Sequence, residues 1–170
     1  MIYKKFITFE GGEGSGKSTQ IKLLAKKIAE TSDVCLTREP GGTASAEEIR
    51  KLLVRGETDK WSSVSELLLL FAARKDHIDK LILPSLKSNK WVLCDRFVDS
   101  TYVYQGMCGK ISLDVIKKIE NIVIGQFKPQ LTFLININPK VGIQRSKRPG
   151  NKDLRYENMD IKFHNKVYRS

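Results

Sequence analysis

The chain has 170 residues, of which 41% are hydrophobic and 29% charged, and 30 Lys and Arg against 19 Asp and Glu give it a net charge of +11. One domain with a substantial core suits that length, and the balance excludes a disordered chain. The longest apolar stretch, Leu67 to Ala73, is far too short to span a bilayer, and a strand pattern begins almost at Met1, so a cytoplasmic location with no membrane partner is expected.

The first β-type run is Phe6-Ile7-Thr8-Phe9, and Gly11 to Ser18 follow it as GGEGSGKS, a complete Gly-x-x-x-x-Gly-Lys-Ser. Apolar residues at Ile21, Leu24, Ala25 and Ile28 then fall at helical spacing, so the loop has the strand and helix a P-loop requires. A second strand is predicted at Val34 to Thr37, ending in Arg38-Glu39-Pro40-Gly41-Gly42, and a short helix near Glu47 to Val54. A longer helix carries Leu67, Leu70, Phe71, Ile78, Leu81 and Ile82, and Arg74 interrupts its apolar stripe. A third strand, Trp91 to Cys94, ends in Asp95-Arg96-Phe97; a fourth runs from Leu131 to Ile137. Loops are expected at Pro40 to Gly42, Gly106 to Lys110 and Pro149-Gly150. Strands alternating with helices predict an α/β fold of three layers, a parallel sheet with helices on both faces, and ligands gathered at the carboxyl ends of the strands.

In a P-loop, glycines let successive N–H groups turn inward, and the helix behind them adds its positive end, so phosphate is held mainly by main chain. Lys17 would reach the β- and γ-phosphates and Ser18 would ligate Mg2+. Asp95 ends an apolar strand, where a carboxylate is placed to hold that metal, and Arg96 beside it can grip phosphate oxygens bidentately. Arg74 has two readings from spacing alone: a guanidinium that snorkels or pairs with a carboxylate, or one that donates to a carbonyl on a base packed against Phe71. His77 and His164 read as helix-surface or core residues. Cys35, Cys94 and Cys108 show no metal-ligand or disulfide spacing and read as reduced thiols. The basic pairs Lys4-Lys5, Lys26-Lys27 and Lys117-Lys118 are scattered, which predicts solvated faces and no nucleic-acid stripe.

Together these segments resemble the thymidylate kinases of bacterial type. The likeness covers nearly the whole chain and rests on FEGGEGSGKST (Phe9 to Thr19), TREPGGT (Thr37 to Thr43), LLLFAARKDH (Leu68 to His77), DRFVDSTYVYQG (Asp95 to Gly106), PQLTFLINI (Pro129 to Ile137) and DLRYE (Asp153 to Glu157). A P-loop occurs in many families; the other motifs in this order are specific. The resemblance implies a nucleoside monophosphate kinase-like fold in one domain over 1–170, with a lid at about 145–156. It also implies transfer of the γ-phosphoryl of ATP to dTMP, giving dTDP and ADP for dTTP synthesis, in a homodimer.

By the same resemblance, Gly11, Gly12, Glu13, Gly14, Ser15, Gly16, Lys17, Ser18 and Thr19 hold ATP, and Ser18 and Asp95 serve Mg2+. Arg96 and Arg38 grip the acceptor phosphate, Arg74 bonds a thymine carbonyl, Gln105 the N3 edge, and Thr101 and Tyr102 lie beside that pocket. Glu13 is also placed near the sugar 3′-hydroxyl, and Glu39 in the water network around the phosphates. Lys17, Arg96, Glu39 and a lid residue, Arg155 or else Arg148, form the catalytic set. Two departures stand out. The family's stacking aromatic stands four residues before the base-binding arginine, where this chain has Leu70, which shifts the aromatic to Phe71 on the same helical face. The family also continues through a last strand and helix that shape the adenine side, whereas the pattern here runs to Tyr168-Arg169-Ser170. The alternative is another nucleoside monophosphate kinase or a deoxynucleoside kinase, the latter needing a carboxylate base such as Glu39.

Overall fold

The computed structural model describes residues 2–57, 59–146 and 159–170. Its strands are β1 (Ile2–Glu10), β2 (Val34–Arg38), β3 (Trp91–Asp95) and β4 (Lys128–Leu134). They form one parallel sheet in the order β2-β3-β1-β4, so β1 and β3 lie in the middle and point their carboxyl ends the same way. β1 and β3 are buried on both faces and split their side chains between two layers. Phe6, Val92 and Cys94 join one core with Leu67, Phe71, Phe97, Ile116 and Phe127, while Ile7, Phe9 and Leu93 join another with Ile21 and Ala25.

The helices that cover those faces start where the sequence supplies caps. After α1 (Lys17–Ile28), the hydroxyl of Thr43 accepts from the Ala46 N–H at the start of α2 (Ala44–Val54), and Ser62 does the same for Ser65 in α3 (Ser63–His77). α3 continues through a π-helical segment, Ile78–Ile82, into α4 (Leu83–Lys87), where Pro84 sits in the first turn. Beyond β3 come α5 (Val98–Thr101), a second π-helical segment (Tyr102–Met107), α6 (Leu113–Val123), α7 (Pro139–Ser146) and α8 (Ile161–Arg169). The fourth strand thus ends at Leu134, three residues short of the expected Ile137, and α5, α6 and α7 have no counterpart among the predicted elements. Of the expected lid only Arg145 and Ser146 are described; Arg148 and Arg155 lie outside the described residues.

Candidate active site

The P-loop leaves β1 at Glu10 and enters α1 through Gly16, whose φ of 99° only glycine adopts easily. Gly11 has a φ of 136°, and a Cβ there would run into the Ile135 carbonyl oxygen, so the turn is closed against the chain leaving β4. Lys17 is buried under this loop, donating from Nζ to the carbonyls of Gly11 and Gly12 at 2.9 Å each. Burial and then the Arg96 charge lower its pKa from 10.5 to about 8, against the opposing pull of Glu13, Asp95 and Glu10. The Ser18 hydroxyl donates to Asp95 Oδ2 at 3.0 Å. A hydroxyl and a carboxylate oxygen side by side at the mouth of a phosphate loop suit Mg2+, which takes few protein oxygens and completes its shell with phosphate and water. Among the described residues no group of three or more His, Cys, Asp or Glu could hold a metal.

A cleft of about 830 Å³ opens from this loop and is lined from Glu13 to Thr19, by Arg38, Glu39, Arg50, Leu70, Arg74, Asp95, Arg96, Ser100, Thr101, Tyr104 and Gln105, and by Arg145. Arg96 has a φ of 70°, a left-handed conformation that a non-glycine residue resists. What holds it there is Glu10, whose carboxylate accepts from the Phe97 N–H at 2.7 Å and from the Ser100 hydroxyl at 2.6 Å. Burial, the largest influence, pushes the Glu10 pKa above the ordinary carboxylate value despite those bonds. The Arg96 guanidinium then reaches Ser100 Oγ at 3.2 Å and Glu13 Oε1 at 2.7 Å, with the Tyr104 ring centroid 5.2 Å from its Cζ. Burial works against its charge, but Tyr104, Glu13 and Glu10 more than offset this and raise its pKa. The same Arg96 charge, helped by Lys17, overcomes burial and lowers the pKa of Glu13.

On the far side of the cleft, Arg74 is 3% exposed. Its Nε donates to Glu39 Oε2 at 2.6 Å and its Nη2 to the Phe97 carbonyl and Thr101 Oγ1 at 3.2 and 3.1 Å. Its Nη1 is buried with no hydrogen-bond partner among the described residues. Gln105 is fixed by Glu66 on α3, which accepts from its amide nitrogen at 2.8 Å. Arg38 projects from the end of β2 and is held by both oxygens of Glu47, at 3.1 and 3.0 Å.

Three expected placements change. Phe71 does not reach the cleft: it is 1% exposed, in the core, with its ring 5.0 Å from the Arg74 Cζ, and Leu70 lines the cleft instead. Tyr102 turns away and donates its hydroxyl to Glu120 on α6 at 2.5 Å. In the π-helical register Ser100, Thr101, Tyr104 and Gln105 share the cleft face, so Tyr104 stands where Tyr102 was expected. Glu39 is not open to a solvent network either: one oxygen meets Arg74 and the other His77, at 3.1 Å, and although burial raises its pKa these partners bring it below the ordinary value. Of the two readings of Arg74, the pairing with a carboxylate is the one its contact with Glu39 matches, and Phe71 packs beside its guanidinium in the core. Glu10, Glu47, Arg50 and Glu66 were not singled out from the sequence. Glu10 had a usable signal, a carboxylate ending an apolar strand as Asp95 does; the others had none.

The family model for thymidylate kinase matches residues 9–170. A thymidylate kinase of Bradyrhizobium sp. (strain ORS 278) is 47% identical over 163 residues, spanning 94% of this chain and 72% of the relative. That of Wolbachia pipientis wMel is 48% identical over 165 residues, spanning 95% and 80%. The crystal structure of thymidylate kinase from Ehrlichia chaffeensis superposes with a TM-score of 0.72 at 44% identity, covering 83% of this chain and 79% of that one. With the family model matched over residues 9–170 and relatives nearly half identical along almost all of its length, the chain belongs to the thymidylate kinase family.

Proposed function

We propose that the chain, acting as one kinase domain, transfers the γ-phosphoryl of ATP to the 5′-phosphate of dTMP, yielding ADP and dTDP. The observation that carries this is the union, in one cleft, of a P-loop with a second set of cationic and amide groups: Arg38, Arg96, Arg74 and Gln105. A protein that only hydrolysed nucleotide would have no use for the second set. The acceptor phosphate is already an anion near neutral pH, so the protein must align two repelling anions and compensate charge, without deprotonating anything. Arg96 and Arg38 face the acceptor phosphate, Lys17 the donor phosphates, and Glu13 links the two halves through Arg96. Arg74 Nη1 is suited to donate to a pyrimidine O4 carbonyl, Leu70 to cover the base, and Gln105 to read its N3 edge. Ser18 and Asp95 would hold Mg2+, which would supply positive charge to offset that of the donor phosphates.

The deoxynucleoside-kinase alternative needs a carboxylate base at the 5′-hydroxyl, and Glu39, with both oxygens engaged by Arg74 and His77, is poorly placed to serve. Coupled ADP release with ATP and each common nucleoside monophosphate tests the reading. The highest kcat/KM is expected with dTMP, and a faster acceptor of another base, or only with an unphosphorylated nucleoside, overturns it. The proposal extends to a homodimer, since Val64 and Leu68 on α3 are each 52% exposed and Leu52 on α2 43%. Sedimentation of Leu68→Glu as monomer beside a dimeric parent is expected, and a monomeric parent would sink it. A cytoplasmic setting fits Cys35, Cys94 and Cys108 all being unpaired. No helix among the described residues is long and apolar enough to cross a membrane.

A further inference from the structure

His77 is completely buried at the end of α3, and none of the chemistry above calls on it. Its two ring nitrogens are nevertheless both engaged. Nδ1 lies 3.1 Å from Glu39 Oε1, and Nε2 lies 2.6 Å from Thr37 Oγ1 on β2. An ionised carboxylate can only accept, so Nδ1 carries the hydrogen and donates to Glu39; the Thr37 hydroxyl can serve Nε2 in either sense. The chain of contacts then runs without a break from Thr37 to His77, from His77 to Glu39, and from Glu39 to Arg74.

The end of that chain matters. Arg74, one of the residues lining the cleft, is oriented by Glu39 at Nε and by Phe97 and Thr101 at Nη2, with the rings of Phe71 and Phe97 5.0 and 5.5 Å from its Cζ, which leaves Nη1 with no partner among the described residues. If Glu39 were to rotate, the Nε bond that sets the guanidinium plane would go with it. Among the described residues, it is His77 that holds the second oxygen of the carboxylate. The loop that carries Glu39 is also seated on this ring: a Cβ at Gly42, whose φ is 93°, would come within 2.5 Å of His77 Cδ2 and 2.6 Å of Thr37 Oγ1. One imidazole therefore pins both the loop after β2 and the carboxylate that aims Arg74.

We infer that His77 is a positioning residue for base recognition: by holding Glu39 it aims Arg74 Nη1 at the base and so sets the preference for a pyrimidine bearing an O4 carbonyl over one bearing a 4-amino group, though it touches neither. This rests on the reading of Arg74 as the base donor given above.

Two substitutions separate the ring's two bonds, because the amide nitrogen of Asn stands near the place of Nδ1 and that of Gln near the place of Nε2. In His77→Asn the donor to Glu39 is kept and the ratio of kcat/KM for dTMP over dCMP should stay within about threefold of the parent. In His77→Gln that donor is lost, and the ratio should fall by about tenfold or more, mostly through the KM for dTMP with kcat little changed. A merely structural histidine would lower the melting temperature of both variants and leave the two ratios alike; that result overturns the inference. Should His77→Gln fail to fold, Thr37→Val loosens the ring from its other side, and an unchanged ratio there overturns it equally. The parent and Arg74→Lys distinguish the layers: a parent that does not prefer dTMP refutes the proposed function, whereas a parent preference lost in Arg74→Lys but kept in His77→Gln refutes only the role of His77.

Discussion

The two halves of the cleft are built on opposite principles. The donor half is main chain: Gly11, Gly14 and Gly16 take φ values of 136°, 63° and 99°, and the groups that would meet phosphate are N–H groups placed by that path. The acceptor half is side chain: Arg38, Arg74, Arg96 and Gln105 come from four different segments and are each held by a carboxylate, Glu47, Glu39, Glu13 and Glu66 in turn. A backbone cradle is specific to phosphate and indifferent to the rest of the ligand. A set of arginines held by carboxylate counter-ions can be aimed, and aiming is what distinguishes one base from another. The cost falls differently too, as φ strain in the first half and as desolvated charge in the second.

The largest effect expected from this contrast is at Arg96. It belongs to the acceptor half, yet its guanidinium is bonded to Glu13 of the P-loop, so it is where the halves meet. Arg96→Ala should lower kcat/KM by about a thousandfold or more, while circular dichroism shows the same helix content. It should also stabilise the backbone at 96 no more than Ala tolerates a left-handed φ, so the melting temperature should not rise by much. Turnover near the parent rate would dissolve the distinction between the halves as well as the assignment of Arg96.

The same contrast explains what could be read from the chain alone. Gly11 to Ser18 was legible because backbone geometry at fixed offsets leaves fixed residue types, and the alternation of Phe6 to Phe9 with Ile21 to Ile28 supplied the context. The parallel sheet was legible for a related reason, since β1 and β3 are buried on both faces and read as continuous apolar runs. The acceptor half was legible only as motifs. Arg74 betrayed itself by interrupting an apolar stripe, but its partner Glu39 lies 35 residues away, and no periodicity relates them. Phe71 and Tyr102 went astray for local reasons. Leu70 and Phe71 both flank Arg74 on the helix, and only packing decides which of them faces the core. The π-helical segment from Tyr102 to Met107 rotates the following side chains away from α-helical positions, which exchanged Tyr102 for Tyr104 at the cleft.

On the donor side, the comparison sharpens into a pair of adjacent glycines. Gly11→Ala forces a left-handed conformation and a collision with the Ile135 carbonyl, and should cost roughly 2 to 3 kcal/mol of stability, together with a raised KM for ATP. Gly12→Ala meets nothing within 4 Å and has no positive φ, so its stability should stay within about 0.5 kcal/mol of the parent. Urea melts of the two variants measure the difference. Equal losses would mean that the loop is held by its side-chain contacts and not by the path of its backbone.

The smallest effect belongs to a donor-side group whose charge the fold weakens. Lys17 has its pKa lowered from 10.5 to about 8 by burial and by Arg96, so the acceptor arginine acts on the donor lysine. Below about 8 the lysine is charged in both folded and unfolded chains; between about 8 and 10.5 the unfolded chain holds more protons, so this group makes the nucleotide-free protein more stable as pH rises through that window. Nucleotide binding runs the other way, since bound phosphate favours the ammonium. Raising the pH from 7.5 to 8.5 should therefore weaken ATP binding by about threefold and release of heat should carry a proton-uptake component that scales with buffer ionisation enthalpy. Arg96→Ala removes the cation that repels the Lys17 proton and should move this pH dependence upward. Calorimetry on the two proteins separates the possibilities: an unshifted midpoint in the variant would show that the Arg96 charge does not set the lysine and that the two halves of the cleft are electrically independent.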